Sequence, residues 1–376
     1  MENIGCSESL PTYTYGAGLF SQSGGSNATS TLSIGVAAPG EYDLSGTGTV
    51  TVTNATVGSS NYTGTLKVSG GVFTVTSEMT IAGGATLTQS AGSITAPQVS
   101  NSGTITQTAG LASLGGITGT GTTSIGTSSG ASASLTVTSI KQPVITINNP
   151  GKLTILKNTN LVTNLANTLS ISGNGTLDIT NNRFYIDYSP GADPISSIAA
   201  WIQSGYNAGA WNGPGITSST AAGNSKSYGI GYADSADPGN PAGLSSGQIE
   251  IMYTLLGDAN LDGKVNGSDF ILMAANFNKA VTNGWDEGDF NYDGKVNGDD
   301  FVLLADNFNQ FASQSADVQA LDAFAAANGI SLTSVPEPAT ISLTILPAAS
   351  LLLRRRKFLG QSAVHPRSAC SLGSLL

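Results

Sequence analysis

Two acidic loops of twelve residues carry the residue types and the spacing that are most specific for a chemical role. One loop runs from Asp258 to Asp269 and the other from Asp289 to Asp300. In both, oxygen-bearing side chains occupy positions 1, 3, 5, 9 and 12, and glycine occupies position 6, where the backbone must turn sharply. This is the spacing of an EF-hand loop, in which about six to eight oxygen ligands surround calcium. The sequence therefore predicts two bound Ca²⁺ ions.

The predicted ligands share one pattern in the two loops. Side-chain oxygens bind at five positions, a lysine backbone carbonyl binds at position 7, and the ligand at position 9 acts directly or through water. Without a cation the three carboxylate ligands of each loop would repel one another, so a simple polar turn would have to produce two matched loops by chance. The predicted ligands are Asp258, Asn260, Asp262, Lys264, Asn266 and Asp269, and Asp289, Asn291, Asp293, Lys295, Asn297 and Asp300.

A short apolar helix is predicted after each loop. Apolar residues recur at spacings of three and four, which gives each helix one buried face. Neither helix is long enough to be stable alone in water, so we expect the two loop-helix units to pack face to face, with calcium ordering the loops. The residues of the two faces are Phe270, Met273, Ala274 and Phe277, and Phe301, Leu304, Ala305 and Phe308.

This duplication of loop and helix, with Asp at position 12 and no helix before the first loop, resembles the type I dockerin family over roughly residues 256–311. The resemblance implies docking onto a cohesin-like domain through loop positions 10 and 11 and through the helix surfaces. Those positions are Gly267 and Ser268, then Gly298 and Asp299, where cellulosomal members tend to carry a hydroxyl pair. This departure leaves the calcium prediction intact but weakens the prediction of a cohesin, so the expected partner is a cohesin-like domain or another surface protein.

The first half of the chain has the pattern of short β-strands. Runs of Thr, Val, Ile and Leu alternate in character and are separated by glycine-containing turns. Their loose recurrence predicts the stacked rungs of a solenoid, in a mainly β fold. We favour a right-handed parallel β-helix, with a β-sandwich array as the alternative, and the segment resembles autotransporter-associated β-strand repeats. Representative runs are Gly48–Thr53, Gly64–Ser69, Gly71–Thr76, Gly84–Gln89 and Gly175–Thr180.

An aromatic and glycine-rich segment follows, with a predicted helix over Pro194–Ser204 and a last predicted strand over Ile249–Thr254. A solenoid needs a cap over its last exposed rung, and this segment is suited to that role. Exposed aromatic rings could instead stack on sugars, which would make an extracellular polysaccharide the ligand. A further helix with one apolar face is predicted over Ser315–Asn328.

The C-terminal end has three parts in order: a Pro-Glu-Pro motif within Val335–Ala339, an apolar stretch over Ile341–Leu353, and a basic cluster over Arg354–Lys357. The apolar stretch is marginal for spanning a bilayer, and the basic cluster would hold its end in the cytoplasm. The arrangement resembles the PEP-CTERM sorting signal. That resemblance implies export, processing by an exosortase-type enzyme, and a transient inner-membrane contact through residues 341–357. A simple tail anchor or a buried helix is the alternative.

The chain is thus divided by composition into a series of segments. The short sequence before Ser7 has no basic start and no apolar run, so we expect the natural protein to extend upstream and to be exported by a signal peptide there. The predicted segments are 1–190 (solenoid repeats), 191–254 (cap and last strand), 255–311 (small α module of double EF-hand type), 312–335 (short helix and linker), 336–357 (C-terminal hydrophobic sorting helix) and 358–376 (atypical tail).

Composition also limits the classes of function. The net charge is −10, and no basic patch lies outside the last few dozen residues, so a nucleic-acid partner is not expected. The single histidine is His365, and the few acids of the repeat region form no motif with a basic partner, so no catalytic triad or carboxylate pair is predicted. We expect a non-enzymatic structural or adhesive protein of the cell surface or extracellular matrix. The alternatives are a scaffold or accessory component of polysaccharide degradation, and a fragment of a carbohydrate-active enzyme whose catalytic domain lies upstream.

Overall fold

Most of the computed structural model consists of short parallel strands that form two sheets. The described residues belong to one compact unit. The structure describes residues 2–4, 17–127, 130–158, 162–282, 284–308 and 315–330.

The strands of the repeat region are short, and along most of them buried residues alternate with half-buried or exposed ones. In chain order they are β1 (Glu2–Ile4), β2 (Gly18–Gln22), β3 (Ser26–Ile34), β4 (Gly40–Leu44), β5 (Thr49–Val57), β6 (Gly64–Val68), β7 (Val72–Ile81), β8 (Thr86–Gln89), β9 (Ser93–Asn101), β10 (Thr104–Gln107), β11 (Gly110–Thr118), β12 (Thr122–Ile125), β13 (Ala133–Ile140), β14 (Val144–Ile147), β15 (Gly151–Ile155), β16 (Thr163–Ala166), β17 (Thr168–Ile171), β18 (Thr176–Asp178) and β19 (Arg183–Asp187).

From β1 to β15, consecutive strands alternate between two parallel sheets, so each turn of the chain adds one rung to both. One sheet has the order β1-β3-β5-β7-β9-β11-β13-β15-β18-β20, where β20 is Gly215–Thr217, and the other has the order β17-β14-β12-β10-β8-β6-β4-β2. The result is a β-solenoid of about seven turns. The prediction of a mainly β solenoid is confirmed, and the parallel pairing rules out the β-sandwich array, whose sheets are antiparallel.

Matching register stacks apolar side chains along the solenoid axis. Leu32 pairs with Ala55, Ala55 with Met79, and Met79 with Val99, and each of these side chains is almost completely buried. A rung of this kind buries its inner face only against its neighbours. The fold therefore needs a different structure at its end.

That end is built from a helix and a third sheet, which we call the cap sheet. It has the order β16-β19-β22-β21, where β21 is Tyr228–Asp234 and β22 is Gln248–Leu255, and β22 is antiparallel to both of its neighbours. Trp211 and Tyr232 are buried in this region, and Tyr206 packs edge-on against Trp211, so these rings lie in the core and not on an open platform. The elements are α1 (Ile195–Tyr206), a 3-10 turn (Asn207–Gly209), α2 (Ser219–Ala222), β21 (Tyr228–Asp234) and β22 (Gln248–Leu255).

The remaining described residues form a small helical module. Phe324 of helix α5 (Ser315–Ala327) packs on Phe270, Phe277 and Phe301, so α5 covers the apolar faces of the two helices that follow the loops. The apolar face predicted for the helix at Ser315–Asn328 consists of Val318, Leu321 and Phe324, and the side chain of Val318 lies outside the described ones. The elements are α3 (Gly267–Asn276), β23 (Lys279–Ala280), a 3-10 turn (Trp285–Glu287), β24 (Lys295–Val296), α4 (Gly298–Asn307) and α5 (Ser315–Ala327), and β23 pairs antiparallel with β24.

The predicted sorting signal at 336–357 and the tail at 358–376 lie outside the described residues. Within the described part of the chain, no helix has the length and apolar character needed to cross a bilayer.

Candidate metal centre

Strand β22 leads directly into the first acidic loop. The strand ends at Leu255, whose carbonyl accepts a hydrogen bond from Asp258 N–H at 3.1 Å. Thr254, the residue before Leu255, donates its hydroxyl to the carboxylate of Asp258. The first predicted ligand is therefore fixed by a strand of the cap sheet.

Backbone amides of the first loop converge on the carboxylate at position 1. Asp262 N–H and Gly263 N–H donate to the two oxygens of Asp258 at 3.1 and 3.0 Å. The side-chain oxygen of Asn260 accepts from Asp262 N–H at 3.0 Å, and that of Asp262 accepts from Lys264 N–H at 2.9 Å. Positions 1, 3 and 5 therefore share one coiled turn of backbone.

The second loop repeats these bonds almost one for one. Asp293 N–H and Gly294 N–H donate to the two oxygens of Asp289 at 3.0 and 2.8 Å. Asn291 again accepts from position 5, at 2.9 Å, and Asp293 accepts from Lys295 N–H at 2.9 Å. Since the two loops agree in detail, the conformation follows from the shared sequence and not from either loop's surroundings.

The carboxylate at position 12 closes each loop. Asp269 accepts from Asn260 N–H at 3.2 Å and from Asn266 N–H at 2.9 Å. Asn266 caps helix α3, so it and Asp269 form a capping box at the helix start. Asn297 and Asp300 form the same box at α4. Residues at positions 9 and 12 thus serve both the loop and the following helix.

Glycine at position 6 is required by the backbone. Gly263 and Gly294 have φ of +85° and +81°, in the left-handed region that favours glycine. Position 4 is also left-handed, with φ of +58° at Leu261 and +61° at Tyr292. The two left-handed residues in each loop produce the tight curl that an ion-binding loop needs.

The carboxylates at positions 1 and 12 are buried, and burial is the largest cause of their raised pKa values. The pKa of Asp258 and of Asp300 rises to about 7, and that of Asp269 and of Asp289 to about 6. A neighbouring loop carboxylate raises each value further, while hydrogen bonds within the protein lower it. In the described residues, none of the ion pairs includes these four groups. The loops therefore have a deficit of positive charge that a cation would supply.

The donor set fits calcium. Every predicted side-chain ligand is an oxygen, and hard oxygen ligands in a flexible loop suit Ca²⁺. The exposed carboxylates Asp262 and Asp293 lie on the open side of the loops, and Lys264 and Lys295 are exposed with their carbonyls at position 7. No three acidic, histidine or cysteine side chains in the described parts of the chain already converge on one point. Amide oxygens, backbone carbonyls and water would complete the coordination.

Two aromatic residues that sequence reasoning missed join the module to the cap. Trp285 donates its indole N–H to the carbonyl of Asp258 at 2.7 Å. The hydroxyl of Tyr292 donates to Ile230 O and accepts from Ile230 N–H, both at 3.0 Å, and Gln203 donates to Tyr292 O at 2.7 Å. The only signal for Tyr292 was an aromatic residue at position 4, where the first loop has leucine. The signal for Trp285 was a lone tryptophan before the second loop.

Comparison with known families identifies this segment. Residues 256–309 match the model of the Dockerin type I domain. The dockerin resemblance predicted from the loops is therefore confirmed for that segment, and type I dockerins bind calcium and dock onto cohesins. No curated protein and no solved structure gives a significant match to the chain.

Proposed function

We propose that this chain is a structural or adhesive protein of the cell surface or extracellular matrix, without catalytic activity, whose solenoid ends in a calcium-stabilised dockerin module. Dockerin domains are typical of extracellular or cell-surface proteins. The observation that carries the proposal is the pair of matched loops with buried carboxylates, connected to the cap sheet by β22. Such loops bind calcium at extracellular concentrations.

Each loop would hold one calcium ion. In this proposal Asp258, Asn260, Asp262, Lys264, Asn266 and Asp269 hold the first ion, and Asp289, Asn291, Asp293, Lys295, Asn297 and Asp300 hold the second. The ions would neutralise the buried carboxylates and so remove the repulsion that disfavours the folded loops. The loops in turn set the starts of α3 and α4.

The exposed helix faces are the proposed partner surface. Ile271 and Val302 occupy the same position in the two repeats, and both are exposed, at 67% and 37%. They lie close in sequence to loop positions 10 and 11, of which Ser268 and Asp299 are exposed. A partner that inserts between these apolar residues would be a cohesin-like domain or another surface protein.

Sorting is proposed from the sequence alone. In the exported protein, the segment 336–357 would direct processing by an exosortase-type enzyme, with a transient inner-membrane contact through residues 341–357. After processing, the solenoid and dockerin module would be released to the cell surface or matrix.

An accessory role in polysaccharide degradation is the second candidate. An open groove of about 640 Å³ lies between the cap sheet and the first loop, lined in part by Arg183, Tyr185, Glu250 and Asp262. Arg183 and Tyr185 both contact the Glu250 carboxylate, at 3.3 and 3.1 Å. A polar groove of this type could bind hydroxylated ligands such as polysaccharide. Retention of the full chain on insoluble polysaccharide, lost in Arg183→Ala, would favour this role.

Fractionation of cells that secrete the full chain tests the main proposal. The host must carry an exosortase-type enzyme, and the wild type is compared with the combined variant Asp258→Ala and Asp289→Ala. We expect the wild type in the surface fraction in calcium and in the medium after chelation, and the variant in the medium under both conditions. Retention in the cytoplasm, or surface attachment that ignores both chelation and the variant, would contradict it.

A further inference from the structure

A third group of buried carboxylates lies outside the two loops. Asp234 ends β21, Asp237 follows in the next turn, and Asp286 lies in the 3-10 turn before the second loop. Their exposed fractions are 1%, 8% and 3%. The group therefore joins the cap to the dockerin module, and none of its members belongs to the twelve-residue loops.

Hydrogen bonds satisfy only part of this group. Asp234 accepts from Tyr188 O–H and Ala236 N–H, both at 2.9 Å, and Asp237 accepts from Asp234 N–H at 3.0 Å. The second oxygen of Asp234 and both oxygens of Asp286 are buried and receive no hydrogen bond from the described residues. Buried polar atoms without partners are rare and usually indicate an absent water or ion.

The carboxyl groups of Asp237 and Asp286 lie within hydrogen-bonding reach of each other. Two ionised carboxylates contain no donor, so such a contact requires either a shared proton or a cation between them. Burial raises the pKa of both groups, and the neighbouring charges raise that of Asp286 further. The local structure is therefore unfavourable unless positive charge is supplied.

A cation explains more of the geometry than a proton does. One shared proton would satisfy one contact between the two carboxyls and would leave the other oxygen of Asp286 buried without a partner. A divalent cation of the calcium type can be coordinated by both oxygens of each carboxylate, and it needs no ligands other than oxygen. None of the ion pairs found in the described residues includes Asp234 or Asp286.

We propose that Asp237 and Asp286 together bind a divalent cation of the calcium type, separate from the two loop sites, at the junction of the cap and the dockerin module. Asp234 adds negative charge beside them, and backbone carbonyls and water would complete the coordination. The ion would join a turn of the cap to the segment that precedes the second loop. Calcium removal would then loosen this junction as well as the loops.

Equilibrium dialysis of the full chain against calcium tests the proposal. We expect Asp237→Asn and Asp286→Asn each to bind one ion fewer than the wild type, while Glu78→Gln, at an exposed acid of the solenoid, binds as many as the wild type. Asp286 lies just before the second loop, so its variant alone could lose an ion by disturbing that loop. Asp237 is remote in sequence from both loops, so loss of an ion in its variant is attributed to the new site. An unchanged number of ions in both variants would overturn the proposal.

Thermal unfolding gives a second readout with opposite signs for cation and proton. If a cation binds, Asp286→Asn removes repulsion in the chelated protein and raises its Tm, but loses an ion and lowers the Tm in calcium. If a proton is shared, the amide replaces it and the Tm shifts in the same direction in both conditions, which would overturn the proposal.

Crystals of the full chain grown in calcium, or in manganese for its anomalous signal, need no variant. A peak between the two carboxyl groups is expected. Clear peaks in both loops with none at the junction would also overturn the proposal.

Discussion

The hydroxyl of Tyr292 provides a direct test of the connection between the dockerin module and the solenoid cap. β21 is the edge strand of the cap sheet, so the outward backbone groups of Ile230 have no neighbouring strand. Tyr292 is buried, and its hydroxyl takes the place of a neighbouring strand by bonding both groups at 3.0 Å. Tyr292→Phe leaves a buried N–H and a buried C=O without a partner.

Each such group costs about 1–3 kcal/mol, so we expect the two groups together to lower the free energy of unfolding of Tyr292→Phe by roughly 2–6 kcal/mol. The assay is urea unfolding of the full chain in saturating calcium, followed by tryptophan fluorescence, since Trp285 packs against Tyr292. Tyr253→Phe is the matched control, because its ring stacks on Tyr228 and its hydroxyl makes no hydrogen bond with the described residues. A loss below about 0.5 kcal/mol, equal to that of the control, would refute the reasoning.

Three further results are expected. Gly294→Ala has open space for the new Cβ, so it should lower the free energy of unfolding only by the strain of its φ, about 1–2 kcal/mol. Gly288→Ala places a Cβ at 2.7–2.8 Å from Met273 and should lower that free energy clearly more in the same urea assay. Equal losses of stability in the two variants would contradict this expectation. Trp285→Phe removes the bond to Asp258 O and should weaken calcium binding at the first loop by roughly fivefold, about 1 kcal/mol, in calorimetry; an unchanged affinity would show that the bond has no such role. Burial raises the pKa of the four loop carboxylates at positions 1 and 12 above their unfolded values, so the folded, calcium-free protein binds protons more tightly than the unfolded chain and should lose stability as the pH rises from about 4 to about 7. Calcium binds the ionised groups, so the affinity for calcium should instead increase over pH 5–8. These two expectations would be contradicted if calorimetry found that the stability of the calcium-free protein and the calcium affinity do not change with pH.

Features with a local sequence signal could be predicted. Position 6 glycine, the oxygen-bearing positions and the paired Asn and Asp of the capping boxes lie within one twelve-residue window, and their conformation is determined mainly within that window. The apolar face that includes Phe270 and Phe301 follows from the helical period in the same way. The β-solenoid could be predicted as a class because its strands and turns recur.

Features that depend on contacts between distant residues could not be predicted. Tyr292 and Ile230 are 62 positions apart, and no periodic pattern connects them. The junction of Asp237 and Asp286 likewise forms only when the cap turn packs against the 3-10 turn. The solenoid period stayed open because its strands range from three to ten residues, so rung length is set by packing and not by a fixed repeat.

Calorimetric titration of the full chain with calcium, alongside the combined variant Asp258→Ala and Asp289→Ala, is the most direct test of a calcium-stabilised dockerin module. We expect the wild type to bind calcium and to show a higher Tm when calcium is bound. We expect the variant to lose the ions that the two loops hold in the wild type. Absence of binding at millimolar calcium, or identical titrations for the two proteins, would contradict the central claim.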